Sequence, residues 1–339
     1  MRIGIVGTGA IARLHARVYK SIGFSVRACT NRTADKGRKF AADVGAEYLL
    51  DLESLCAHHE VDVVDVCTLP QLRIEAVNLC AQYHKAIQLQ KPIATTVDMA
   101  RSIVATAAKA GITLGVVSQH RFDESIIFLR SAIAEGRLGT LLQVDAYVKW
   151  FRTAEYYARP GKGTWAVEGG GALINQAIHQ LDLMRWLAGP VREASAMWQL
   201  GAAHEIESED IVNALVRFES GATGVLQAST AYTPGFPERL EVHGTRGSAV
   251  ITGDQLTTWA VPGDQRPSPP LAAAAASGAS DPMAIALEPF ARQFQDFADA
   301  VRTGRQPKVS GEEGLRTLEV VDAIYEACRT GQTITLART

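Results

Sequence analysis

Three segments of this 339-residue chain carry residues whose types and spacing suit chemistry on a small molecule. The first is Gly7-Thr8-Gly9-Ala10-Ile11-Ala12, directly after the apolar run 3–6. A GxGxxA turn between a strand and a helix fits a dinucleotide pyrophosphate. Gly7 permits the tight turn, Gly9 lets the backbone approach the phosphates, and the small Ala12 lets the helix pack on the strand. Thr8, Ala10 and Ile11 complete a helix start whose N–H groups and dipole favour an anion. The second segment is Gln90-Lys91-Pro92, at the C-terminal end of another apolar run. Open α/β sheets bind ligands at such ends, and an ammonium there can polarise a reacting oxygen. The third is Gly169-Gly170-Gly171, followed by Asn175, His179 and Asp182. These three lie at i, i+4 and i+7, on one face of a helix. Hydride transfer to a nicotinamide leaves a hydroxyl proton to be removed, and a histidine titrates in the right range to take it. Asp182 either orients the imidazole or faces the core boundary. His179 and Asp182 lack a third ligand, so no metal is expected.

The end of the second apolar run bears on the dinucleotide. A carboxylate there would bind the ribose 2′-hydroxyl of NAD. The sequence instead reads Cys29-Thr30-Asn31-Arg32-Thr33, with no carboxylate before Asp35. Asn31, Arg32 and Thr33 offer donors and a fixed positive charge, which suit a 2′-phosphate. NADP is therefore favoured over NAD. Thr68, Leu69, Gln90 and Lys91 are counted with the cofactor-binding residues.

The elements that position these residues fall into two sets. Strands are expected at 3–6, 26–29, 63–67, 86–89 and 113–116, alternating with helices at 10–22, 34–44, 72–83 and 97–110. That alternation implies a doubly wound parallel sheet covered on both faces, assigned to a dinucleotide-binding domain over 1–120. Over 121–339 the pattern changes. A helix at 125–135 and a strand at 142–151 precede the glycine run, which opens a helix ending at 187. Strands then follow in series at 193–200, 208–219, 224–231, 239–243, 248–251 and 256–259, which reads as an antiparallel or mixed sheet. The Pro/Ala/Ser-rich stretch 262–282 is expected to be a surface loop or lid, and helices at 284–303 and 311–329 close the chain.

Composition excludes several classes. Lys+Arg is 34 and Asp+Glu is 36, so the chain lacks the basic footprint of a nucleic-acid binder or a membrane-surface protein. No apolar run is long enough to span a bilayer. The five cysteines are irregularly spaced and include no CxxC, arguing against a disulfide framework or structural zinc and for a reducing, cytoplasmic setting.

Taken together, the GxGxxA start, the Lys-Pro turn, Arg121-Phe122, Glu168-Gly169-Gly170-Gly171 and the His179-x-x-Asp182 helix resemble the Gfo/Idh/MocA oxidoreductases, named for glucose–fructose oxidoreductase and inositol dehydrogenase. The resemblance implies an N-terminal Rossmann domain and a C-terminal α/β domain with a largely open sheet for substrate binding and oligomerisation, through which dimers or tetramers pack. It implies hydride transfer between NAD(P) and a sugar, sugar nucleotide or polyol. It maps the family's catalytic lysine onto Lys91 and its histidine onto His179, with Asn175 where an aspartate is common. Gln90 stands where the family has a glutamate. His179 is favoured for the proton, with Lys91 as electrostatic partner or relay. The Lys91–Pro92 bond is a candidate cis bond. Arg121, Arg152, Tyr157 and Trp165 are substrate-side candidates beside Asn175 and His179. His15, His58, His59, His84, His204 and His243 are read as structural. Two other classes are an NAD-dependent glycosidase that oxidises its substrate transiently and a non-catalytic NADP-binding regulator.

Overall fold

The computed structural model describes residues 1–271 and 286–337. They form two compact units, Met1–Gln119 with Ala286–Leu318, and His120–Ile285 with Glu319–Thr339.

The first unit is built on β1 (Arg2–Val6), β2 (Ser25–Thr30), β3 (Glu47–Leu49), β4 (Val63–Val66), β5 (Ala86–Leu89) and β6 (Leu114–Val116). All pairs are parallel, in the order β3-β2-β1-β4-β5-β6. The order reverses between β1 and β4, the switch point at which such sheets bind nucleotides. β4 and β5 are buried at every residue, so their sequences run apolar without alternation, broken only by Asp65 and Gln88. The expected strands and helices of this half are present with small shifts at their ends. β3 and the helix Leu52–Ala57 were not expected, because neither is long enough to show a period. The helix Glu288–Thr303 packs Phe290 and Phe294 against His15, and Phe294 against Tyr19, both on the helix Ala10–Ser21.

The second unit carries β7 (Leu141–Lys149), β8 (Val191–Leu200), β9 (Glu209–Phe218), β10 (Thr223–Ser229), β11 (Arg239–Gly244), β12 (Gly247–Thr252), β13 (Gln255–Ala260) and β14 (Ile334–Thr335). Their order is β13-β12-β11-β7-β10-β9-β8-β14, antiparallel except for the β7–β10 pair. Along β9 buried and exposed residues alternate, the mark of a sheet with one face on a core and one in water. The helix Ile178–Ala188 packs against β7 on the covered face. The opposite face leaves Met197 79% and Leu215 61% exposed. Of the loop expected at 262–282, residues 272–282 lie outside the described residues, as does the start of the helix expected at 284. The described part is anchored: Arg137 donates to Asp264 Oδ2 at 2.7 Å and to the carbonyls of Pro267 and Arg266.

Candidate active site

The nucleotide turn follows from three glycine and alanine choices. Gly7 has φ +88° and donates its N–H to the Thr30 carbonyl at 2.9 Å, which draws the turn against β2. A Cβ there would press on the Cys67 carbonyl, 3.2 Å away, in a backbone region that side chains avoid. Gly9 caps the helix Ala10–Ser21 with no side-chain bond and no acidic residue in the first turn, and open space lies where its Cβ would be. Ala12 is fully buried. An uncapped helix start facing open space fits a pyrophosphate, whose charge the free N–H groups and the dipole would meet. Beyond β2, Asn31 donates to the Thr33 carbonyl at 2.9 Å, while Arg32 is exposed.

At the end of β5 the Lys91–Pro92 bond is cis. Gln90 is buried, and its Oε1 accepts the Lys91 N–H at 3.1 Å. Lys91 itself is half-buried.

In the second unit the glycine run has a steric cause. A Cβ on Gly170 would collide with the Tyr325 hydroxyl, and one on Gly171 with the Glu209 carbonyl. Glu209 is fully buried and organises the segment: it accepts the N–H of Gly171 at 2.7 Å, the N–H of Leu173 at 2.8 Å and the Tyr325 hydroxyl at 2.9 Å. Burial, opposed by those hydrogen bonds, pushes its carboxyl up to about 7. Sequence reading passed over Glu209 because it sits 38 residues from Gly171.

The helix expected to run unbroken from the glycines is two pieces. Leu173–Ala177 is a π turn, and the α-helix proper is Ile178–Ala188. Such turns insert an extra residue and often mark functional sites. Between Gly171 and Leu187 every residue is buried except Asn175, His179 and Trp186. The segment therefore presents Asn175 and His179 as its half-exposed polar residues, and Asn175 Nδ2 donates to the Gly170 carbonyl at 3.1 Å.

Asp182 faces the core, the second of its two expected places. It is buried and holds the Arg121 guanidinium at both ends, Nε to Oδ2 at 2.7 Å and Nη2 to Oδ1 at 2.5 Å. Arg121, expected at the substrate, has a side chain only 2% exposed and lies 4.5 Å over the Trp186 ring, so it anchors the helix. The ring beside His179 belongs to its neighbour His120, edge-on at 5.1 Å between centroids. Asp123 Oδ2 lies 2.8 Å from His120 Nδ1. Burial opposes a charge on His120, but Asp123, together with the charges of Glu238 and Asp254, outweighs it and raises the ring's pKa.

The other substrate-side candidates have partners within the unit. Arg152 is buried and lies over the rings of Trp150 and Tyr156. Tyr157 bonds to the Thr230 hydroxyl at 2.7 Å and packs on His204, while Tyr156 accepts from Gln176 on the π turn. Trp165 joins an aromatic cluster with Trp198 and Tyr325. Of the tyrosine pair, Tyr156 is thus hydrogen-bonded to the segment that carries His179.

Residues 1–118 match the family model described as the oxidoreductase family, NAD-binding Rossmann fold, and residues 126–250 match the GFO/IDH/MocA C-terminal domain. The chain belongs to the Gfo/Idh/MocA family. It is thus an NAD-binding oxidoreductase. Among proteins similar to this Gfo/Idh/MocA chain, the 1,5-anhydro-D-fructose reductase of Ensifer adhaerens is 29% identical over 98% of the chain and 97% of its own length. The D-apiose dehydrogenase of Paraburkholderia graminis is also 29% identical, over 98% of the chain and 88% of its own. The crystal structure of the WlbA dehydrogenase from Bordetella pertussis in complex with NADH and UDP-GlcNAcA is 27% identical, covers 100% of this chain and 99% of its own, and superposes with a TM-score of 0.87. The uncapped Gly9 helix start lies within the matched NAD-binding Rossmann domain, and the structural reason for the glycine run before His179 is the close approach of Glu209 and Tyr325.

Proposed function

We propose that this enzyme is an NADP-preferring dehydrogenase or reductase acting on a CH–OH group, or the matching ketone, of a sugar, sugar nucleotide or polyol. The observation that carries the reading is His179, half-exposed with Asn175 on an otherwise buried helix of an NAD-binding oxidoreductase. The carbohydrate class is supported by the names of the relatives above.

The dinucleotide would be held by the backbone of Gly7, Thr8, Gly9, Ala10 and Ile11, with Thr68, Leu69, Gln90 and Lys91 alongside. Asn31, Arg32 and Thr33 would take the 2′-phosphate. Exposure of Arg32 and the absence of a carboxylate at the end of β2 support NADP. When bound, the nicotinamide supplies the hydride acceptor or donor. His179 takes or returns the hydroxyl proton, Lys91 holds the reacting oxygen through its ammonium, and Asn175 orients the substrate by hydrogen bonds. His120 shares the proton work of His179, and Arg152, Tyr157 and Trp165 shape the sugar side. In this division residues 1–120 serve the dinucleotide and 121–339 the substrate and assembly, with Ala286–Leu318 lending two helical segments to the first unit. Exposed Met197 and Leu215 on the uncovered sheet face support a homodimer or homotetramer. Five unpaired cysteines support a cytoplasmic setting.

The test is a screen of sugars, sugar nucleotides, polyols and keto-sugars read by NADPH absorbance. Turnover with one class is the expected result. Redox-neutral turnover without added dinucleotide would instead identify a glycosidase that oxidises transiently. Titration with NADPH and NADH is expected to show NADPH binding tighter, and Arg32→Ala to remove most of the difference, about 10-fold. NADH binding at least as tightly as NADPH would overturn the reading of Arg32.

A further inference from the structure

Beneath the Lys91 turn lies a buried polar chain. His15 is fully buried on the first helix of the Rossmann unit. Its Nδ1 lies 2.7 Å from Asp65 Oδ2 on β4, and its Nε2 lies 2.9 Å from Gln90 Nε2 at the end of β5. Tyr19 donates its hydroxyl to the same Asp65 oxygen at 2.9 Å. The chain ends on the backbone, where Gln90 Oε1 accepts the Lys91 N–H.

That last bond sets the direction of all the others. A backbone N–H can only donate, so the amide oxygen of Gln90 must face Lys91 and its NH₂ must face His15. His15 Nε2 must then accept, which puts the ring proton on Nδ1, and Asp65 must receive it. We propose that Asp65, His15 and Gln90 are positioning residues that hold the Lys91 turn, and that an amide at position 90 keeps His15 a neutral Nδ1–H imidazole. The functional part rests on Lys91 being catalytic. A glutamate at 90 would present oxygen both to Lys91 and to the His15 Nε2 lone pair, so the ring would need a second proton. The groups facing that ring are Asp65 and Cys67 from the β4 end, Tyr19 from its own helix, Gln90 from β5 and the uncharged Phe290 and Phe294. Burial and the Asp65 charge keep Cys67 a thiol.

The experiment combines histidine ¹⁵N NMR of the full chain, the His15 signal being identified by its loss in His15→Asn, with kinetics of Gln90→Leu, Gln90→Glu and Lys91→Ala. The wild-type ring is expected to be protonated on Nδ1 alone at neutral pH, and the Gln90→Glu ring on both nitrogens. Gln90→Leu is expected to lower kcat on the order of 10–100-fold and to raise KM for the dinucleotide by a clearly smaller factor, because it misplaces Lys91 while leaving the phosphate turn in place. Gln90→Glu is expected to turn over at low pH and to gain an alkaline loss of kcat that the wild type lacks. A wild-type ring protonated on Nε2 would overturn the relay. Normal kcat in Gln90→Leu together with a dead Lys91→Ala would overturn its positioning role. Normal turnover in Lys91→Ala would instead sink the catalytic reading of Lys91, leaving the NMR result to decide the relay.

Discussion

The first unit and the second solve the same problem with opposite chemistry. Each must hold, on a backbone turn, a side chain to which the proposed function gives a part in the chemistry. Under Lys91, a neutral amide accepts one backbone N–H and donates to a histidine. Under the turn that leads to His179, an acid accepts two backbone N–H groups and a tyrosine hydroxyl. The difference lies in what faces the supporting group. All three neighbours of Glu209 are donors, so only an acceptor with several lone pairs satisfies them. Gln90 has a donor on one side and an acceptor on the other, so an amide fits as it stands, whereas a carboxylate would need one more proton. A polar core residue here is chosen by the fixed direction of the backbone N–H it serves.

The sharpest way to break this comparison is to remove the two side chains it is said to support. His179→Ala and Lys91→Ala are each expected to lower turnover by about 10²–10⁴-fold while the dinucleotide still binds, measured by initial rates and by titration of nicotinamide fluorescence. Near-normal turnover in either would remove that residue from the chemistry and leave its support purely structural.

The next effect concerns Glu209. Glutamine at 209 keeps the shape but turns an NH₂ toward a backbone N–H, losing at least one of three bonds. Glu209→Gln is expected to destabilise the fold by about 1–3 kcal/mol and to lower kcat through a displaced His179 segment. It should also change the pH dependence of stability. Burial raises the folded-state carboxyl to about 7, above its unfolded value. The folded chain therefore keeps a proton that the unfolded chain releases. The stability from that proton is full below the ordinary carboxylate range and is lost as pH rises through about 7. Urea melts between pH 4.5 and 7.5 should show that loss in the wild type and a flatter profile in Glu209→Gln; parallel profiles would mean that Glu209 stays ionised throughout.

What the sequence disclosed was local. The GxGxxA turn, the Lys91-Pro92 turn, and Asn175 ahead of His179 are each contained in a few residues, so type and spacing sufficed. The sheet elements were legible for the same reason, β4 and β5 as apolar runs and β7 by its alternation. What stayed hidden is long-range pairing. Nothing near His15 announces Asp65, 50 residues on, or Gln90, 75 residues on. Asp182 lay on the expected helical face, but its partner Arg121 is 61 residues away, and only the fold shows that the pair anchors the helix. The π turn was invisible because a 3.6-residue period assumes it away, although the glycine run marked where the backbone would be crowded.

The smallest expected effect separates the two supports most finely. Tyr325 is buried, and its hydroxyl donates to Glu209 Oε1 at 2.9 Å. Tyr325→Phe deletes that donor and keeps the ring, which lies edge-on to Trp165 and tilted against Trp198. The two backbone N–H groups still hold Glu209, so the loss should be about 1 kcal/mol, read by chemical denaturation. The remaining carboxylate has one fewer bond to its charged form, so the fall in stability should move to higher pH than in the wild type. If the position is unmoved, the tyrosine is packing alone and the carboxylate is set by burial and backbone. If it moves, the hydroxyl belongs to the support of the His179 segment, as the Gln90 amide belongs to that of Lys91.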